Sequence, residues 1–122
     1  MTSQGSLHGQ FQRAVERGNV LQAVATAHEL GRLSLSDAFS LLLLFAEHDP
    51  ERFSRAAPRW HARFVLQAGG VTVEEAQSLL GALAVMAGPH RPAALEFLGR
   101  LCQEHGTRLD LPRPERPLTQ QR

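Results

Sequence analysis

Leu41-Leu42-Leu43-Leu44-Phe45-Ala46 is an unbroken apolar run, and no other stretch restricts the fold of this chain so tightly. At about 100° per residue, a helix here carries Leu41, Phe45, Ala38, Leu42, Ala46, Phe39 and Leu43 on a continuous arc of roughly 200°. One neighbour cannot bury an arc that wide. The helix must therefore be central, packed between the helices before and after it with a fifth helix nearby. The run is far short of the ~20 residues that cross a bilayer, so no membrane span is expected. Leu44 falls outside the arc, among Asp37, Ser40, Glu47 and His48. An isolated leucine on a polar side is often simply exposed. The functional reading makes it part of a contact patch.

The rest of the chain is punctuated at helical intervals. Leu7, Phe11, Ala14 and Val15 have the spacing of a first helix, which should stop at Gly18. Asn19 can cap a second, carrying Val20, Ala23, Val24, Ala27 and Leu30 and ending at Gly31. In Ser34-Leu35-Ser36-Asp37 a hydroxyl sits three residues before a carboxylate, a reciprocal cap that opens the third helix, ending near His48. Asp49-Pro50 starts the fourth, running toward Ala68, with Pro58 predicting a kink or break near Ala57. Thr72-Val73-Glu74-Glu75 is a capping box for a fifth helix to about Ala87, and Pro92 starts a sixth that ends at Gly106. No β alternation of useful length interrupts this pattern. The expected class is all-α: about six helices, forming two stacked helical hairpins in a solenoid-like array behind an N-terminal helix pair. Residues 1–106 form one domain, and 107–122, with three prolines, read as a disordered tail. Its Pro114-Glu115-Arg116-Pro117 has PxxP spacing, but the basic residue that orients such ligands is not in place.

The hairpin reading rests on a weak internal repeat. At an offset of 38, Ala38, Ser40, Leu41, Leu42 and Ala46 overlie Ala76, Ser78, Leu79, Leu80 and Ala84. At an offset of 37, Trp60 and Arg63 overlie Phe97 and Arg100. Hairpin repeats bury their apolar faces by stacking, and the surfaces they form usually bind macromolecules.

Charge narrows the choice of partner. Thirteen basic residues against twelve acidic give a formal charge of +1, so no long-range field points to nucleic acid or an anionic membrane. Every basic residue is Arg, and Lys, Ile and Tyr are absent, a bias that leads one to expect a GC-rich bacterial genome. An Arg here need not have been selected for bidentate binding. The single Cys102 cannot form an internal disulfide, and MTSQGSLHGQ has no basic-then-apolar leader pattern, so a cytoplasmic location is expected.

The strongest candidate site lies on the fourth helix. Arg52, Arg55, Arg59 and Arg63 fall within about 80° if the helix is continuous, beside Trp60. That strip suits an acidic partner or phosphates, although Glu51 precedes Arg55 by one turn and the alternative is a solvated face with Trp60, Phe53 and Phe64 in the core on the adjacent side. A helix-turn-helix over the third and fourth helices fits poorly, because the third is too apolar to stand bare. Chemistry finds little support. The six histidines have neither i, i+4 pairing nor cysteine companions, so no metal site is expected. Cys102 and His105 lie one turn apart without an orienting third group, and Cys102 reads as a small core residue. The expectation is a non-enzymatic protein-interaction module, without cofactor, that binds a partner or itself through Arg52, Arg55, Arg59, Arg63, Trp60 and Leu44. A small nucleic-acid-binding regulator using the same arginines is the alternative.

Overall fold

Five helices begin where a polar side chain accepts a hydrogen bond from the backbone N–H three residues on. Ser6 takes Gly9 at 2.9 Å, Asn19 takes Gln22 at 3.1 Å, and Ser34 takes Asp37 at 3.0 Å. Asp49 takes Arg52 at 3.2 Å and Thr72 takes Glu75 at 3.0 Å. Each cap satisfies one of the donors that a helix start leaves open. The resulting elements, in a computed structural model that describes residues 6–112, are α1 (Leu7–Glu16), α2 (Val20–Leu30), α3 (Leu35–His48), α4 (Pro50–Ala68), α5 (Val73–Ala84) and α6 (Arg91–His105). The protein is all-helical, with no strand among the described residues.

Three local expectations need correction. The cap at Ser34 is not reciprocal, because the Asp37 carboxylate accepts instead from His8 Nε2 of α1 at 2.8 Å. Pro58 does not break α4, which runs unbroken from Pro50 to Ala68. Its ring sits on the exposed side, where the Ser54 carbonyl that loses its N–H partner can turn to water, while neighbouring Ala57 is buried on the core side. Helix α5 stops at Ala84 rather than near Ala87, since tight turns over 85–88 carry Met86 fully into the core.

The helices pack as consecutive pairs, α1 on α2, α3 on α4 and α5 on α6, with α4 on α5 and α2 on α3 joining them. The main core lies among α3, α4, α5 and α6, around Phe39, Leu42, Trp60, Phe64, Leu79, Leu83 and Leu98. A second, smaller core holds the α1–α2 pair on the other side of α3 through Phe11, Ala14, Ala23 and Leu44. Leu44 is 4% exposed, so the reading that left it on a polar face is wrong. Of its polar neighbours, Asp37 is covered by His8 at one end of α3, while Glu47 and His48 stay exposed. At the other end a Cβ on Gly18, in the α1–α2 turn, would come within 3.3 Å of the His48 ring. Gly18 has φ +73°, a left-handed conformation that a side chain makes costly. The α1–α2 pair therefore lies along the α3 polar edge, with Leu44 plugged between them.

The segment after α6 also departs from expectation over residues 107–112. Gly106 ends α6 with φ +67°, and the chain turns back so that the Asp110 N–H donates to Ser36 Oγ at 2.8 Å. Leu109 and Leu111 pack against the main core. Their alternation with Asp110 lets both leucines point inward from an extended chain. Residues 113–122, including the PxxP segment, lie outside the described residues.

Helix α5, set against α3 at an offset of 38, is covered unevenly. Leu35, Leu42 and Ala46 are buried, whereas their counterparts Val73, Leu80 and Ala84 are exposed, Val73 by 71% and Leu80 by 48%.

Candidate functional site

Because α4 is continuous, its residues keep one helical register, and the four arginines do share a side. Two of them are committed within the fold. Arg52 Nη1 donates to Asp49 Oδ2 at 2.8 Å, reinforcing the cap that starts the helix. The Arg52 N–H and guanidinium together hold the Asp49 carboxyl below its ordinary range. Arg63 reaches back along the hairpin, donating from Nη2 to the Leu33 carbonyl at 2.7 Å and from Nε to Gln67 Oε1 at 2.8 Å. Arg55 and Arg59 are exposed, with no hydrogen bond or ion pair among the described residues. The expected Glu51–Arg55 pair does not form there.

Beside this row α3 and α4 leave a groove of about 210 Å³. Ala38, Leu41, Leu42 and Phe45 line it from α3, and Ala56, Arg59, Trp60 and Arg63 from α4. The helices turn back on each other at Asp49-Pro50, so Phe45 and Ala56 lie at the turn end and Ala38 and Arg63 at the open end. The floor is apolar, and the charges at its lip are both guanidinium groups.

Trp60 belongs to this floor and not to an exposed contact surface, at 4% exposure. Its ring lies 4.9 Å from Phe39 and 5.4 Å from Phe64, and Nε1 donates to the Leu35 carbonyl at 3.0 Å. The indole thus ties α4 to the first turn of α3. Of the six sequence candidates, Arg59, Arg63 and Trp60 meet at the groove, with Arg55 one turn away on the open face. Arg52 is drawn into a cap, and Leu44 lies in the second core. Sequence reasoning missed Leu41 and Phe45 as groove residues. The wide apolar arc of α3 was the available signal, since an arc that wide is hard to cover completely.

The other titratable groups hold the fold together. His105 Nε2 lies 2.9 Å from Glu75 Oε1, joining the end of α6 to the start of α5. The Thr72 N–H and then His105 lower the Glu75 carboxyl from its ordinary value. Burial pushes the Cys102 thiol up to about 11, so little thiolate exists near neutrality, and His105 is turned to Glu75. That removes Cys102–His105 as a nucleophile and base. His61 Nε2 donates to the Ala76 carbonyl at 2.7 Å, joining α4 to α5. Arg91 links α6 to α3, bonding Glu47 Oε2 at 2.7 Å and the Met86 carbonyl at 2.8 Å. Arg91 also lines a second cavity of about 330 Å³, where Glu47 and Asp110 offset its charge. Among the described residues no three His, Cys, Asp or Glu side chains gather as a metal site, and no helix is long and apolar enough to cross a membrane. No protein family, curated protein or solved structure matches this chain at a significant level.

Proposed function

We propose that this chain is a non-enzymatic helical module that binds another protein in the groove between α3 and α4. The observation that carries this reading is the groove itself, an apolar floor bordered by Arg59 and Arg63, with Arg55 exposed one turn away. Such a lining offers contact area and charge but no group poised for proton transfer or nucleophilic attack. A buried, unpaired Cys102 fits a reducing compartment, and the cytoplasm is the proposed location. Nucleic acid is the weaker partner. With Arg52 and Arg63 engaged, two phosphate contacts would give a log K against log salt slope of only about −1.8. The apolar floor would add nothing to them.

Filling the groove tests the reading. Ala56 is half-buried at the turn end, and A56W should occupy the space that a partner side chain would enter. The expected outcome is that proteins cross-linked to the immobilised wild-type chain at moderate salt, after nuclease treatment, are lost on A56W while its helical circular dichroism is retained. An identical captured set on both chains would overturn the groove as the docking site.

Self-association is the second reading, favoured by the open face of α5. Val73, Leu80 and Ala84 are exposed where the matching α3 residues are covered, and a repeat array that ends without a polar face tends to associate. Light scattering after size exclusion should then give a dimer that L80E converts to a monomer. A monomeric wild type at about 100 μM, well above the micromolar affinities of weak complexes, would end this reading.

A further inference from the structure

We propose that the α3–α4 groove receives an acidic amphipathic helix from its partner protein. This inference rests on the protein-binding reading above and names the chemistry of what that groove accepts. From Ala38 to Phe45 the α3 wall spans eight residues, about 10 Å or two helical turns. A partner helix with apolar residues at i, i+3 or i+4, and i+7 presents anchors over that same length. An extended segment fits less well. The groove walls are helices whose backbone donors and acceptors are already paired within them, and the floor is apolar. An extended chain would leave its own N–H and C=O groups unmet there, whereas a helix satisfies them internally.

Charge defines the rest of the partner. No carboxylate lines the groove, and of the arginines along this edge of α4 Arg63 is bonded to Leu33 and Gln67, which leaves Arg59 at the groove and Arg55 one turn before it to meet a partner's acids. Nearby acids offset these arginines only in part, Asp49 acting on Arg55 through space. Asp37 is held by His8 at 2.8 Å and Asp49 by Arg52 at 2.8 Å, while Glu51 lies in the first turn of α4, before the groove begins. The complementary helix carries two or more Asp or Glu at one-turn spacing along the edge that faces α4. Its opposite edge, toward α3, meets only apolar side chains and is free of that requirement.

Selection from a display library of random peptides of about 16 residues, four helical turns, against the full chain tests this directly. The expected result is enrichment of peptides combining apolar i, i+4, i+7 positions with at least two acidic residues on one flank. The double variant R55E/R59E, changed only at exposed positions, should bind those peptides about tenfold or more weakly and should gain affinity for versions with Lys in place of the acids. Enrichment of neutral or basic peptides overturns the acidic helix, as does an acidic set indifferent to R55E/R59E. Two groove-filling variants, A56W and A38W, then separate the two levels. Peptides lost on both variants leave the groove as a protein-binding site with a different ligand. Peptides retained on both, or no enrichment from the library, overturn the protein-binding reading as well.

Discussion

Trp60→Ala is expected to lower the unfolding free energy by about 3–5 kcal/mol, the range for removing a large aromatic side chain from a packed core. The reason is local and double. The indole fills the space between Phe39 and Phe64, and its N–H holds the Leu35 carbonyl, so truncation opens a cavity and removes a buried hydrogen bond together. Domains of this size have about 5–15 kcal/mol in total, so the variant should stand near the edge of folding. Urea titration followed by far-UV circular dichroism measures the loss. Trp60→Phe keeps most of the ring and gives up the N–H, so it should cost only about 1–2 kcal/mol, the worth of the hydrogen bond. A Trp60→Ala loss under about 1 kcal/mol would mean that α4 is not anchored to α3 through this side chain.

Leu44→Glu should have an effect as large but differently distributed. A solvent-facing leucine could be exchanged for glutamate within about 0.5 kcal/mol. Leu44 instead packs with Phe11, Ala14 and Ala23 and borders the cavity that Arg91 lines, so a glutamate there gives up the leucine's buried apolar contacts and sets a carboxylate against an apolar core, at a cost of a few kcal/mol. The smaller core has only Phe11 and Leu44 as large buried side chains, each worth about 1.5–3 kcal/mol, so it is the weaker of the two. The expected result is release of the α1–α2 pair. Amide hydrogen exchange in residues 7–30 should accelerate by orders of magnitude, while α3 to α6 keep their protection and Trp60 its buried fluorescence. Uniform acceleration across the chain would show that the two cores fold as one unit.

These two residues also mark where sequence reading succeeded and where it stopped. Helix starts were legible because caps are local. Asn19, Ser34, Asp49 and Thr72 each accept from the backbone three residues on, and that geometry needs no tertiary partner. The wide arc of α3 announced a central helix for the same reason, since period and width can be counted. Leu44 was misplaced because a helical wheel scores only the neighbours on the same helix. What covers Asp37 and approaches His48 comes from α1 and the α1–α2 turn, 29 and 30 positions earlier in the chain.

The candidate site divides in the same way. That Arg52, Arg55, Arg59 and Arg63 share one side of α4 follows from spacing alone. Which of them remain free depended on Asp49, Leu33 and Gln67, and Leu33 is brought to Arg63 only by the return of the hairpin. Trp60 lay beside the strip by sequence, but its indole N–H needed an acceptor, and the closing of α3 on α4 supplied the Leu35 carbonyl. Leu109 and Leu111 looked like parts of a proline-rich tail until Ser36 and the main core held them. By itself the sequence determined six helices, their starts and the central place of α3, because these depend on contacts within about four residues. The tertiary structure alone decided which side chains face water, because burial is conferred by segments far apart in the chain.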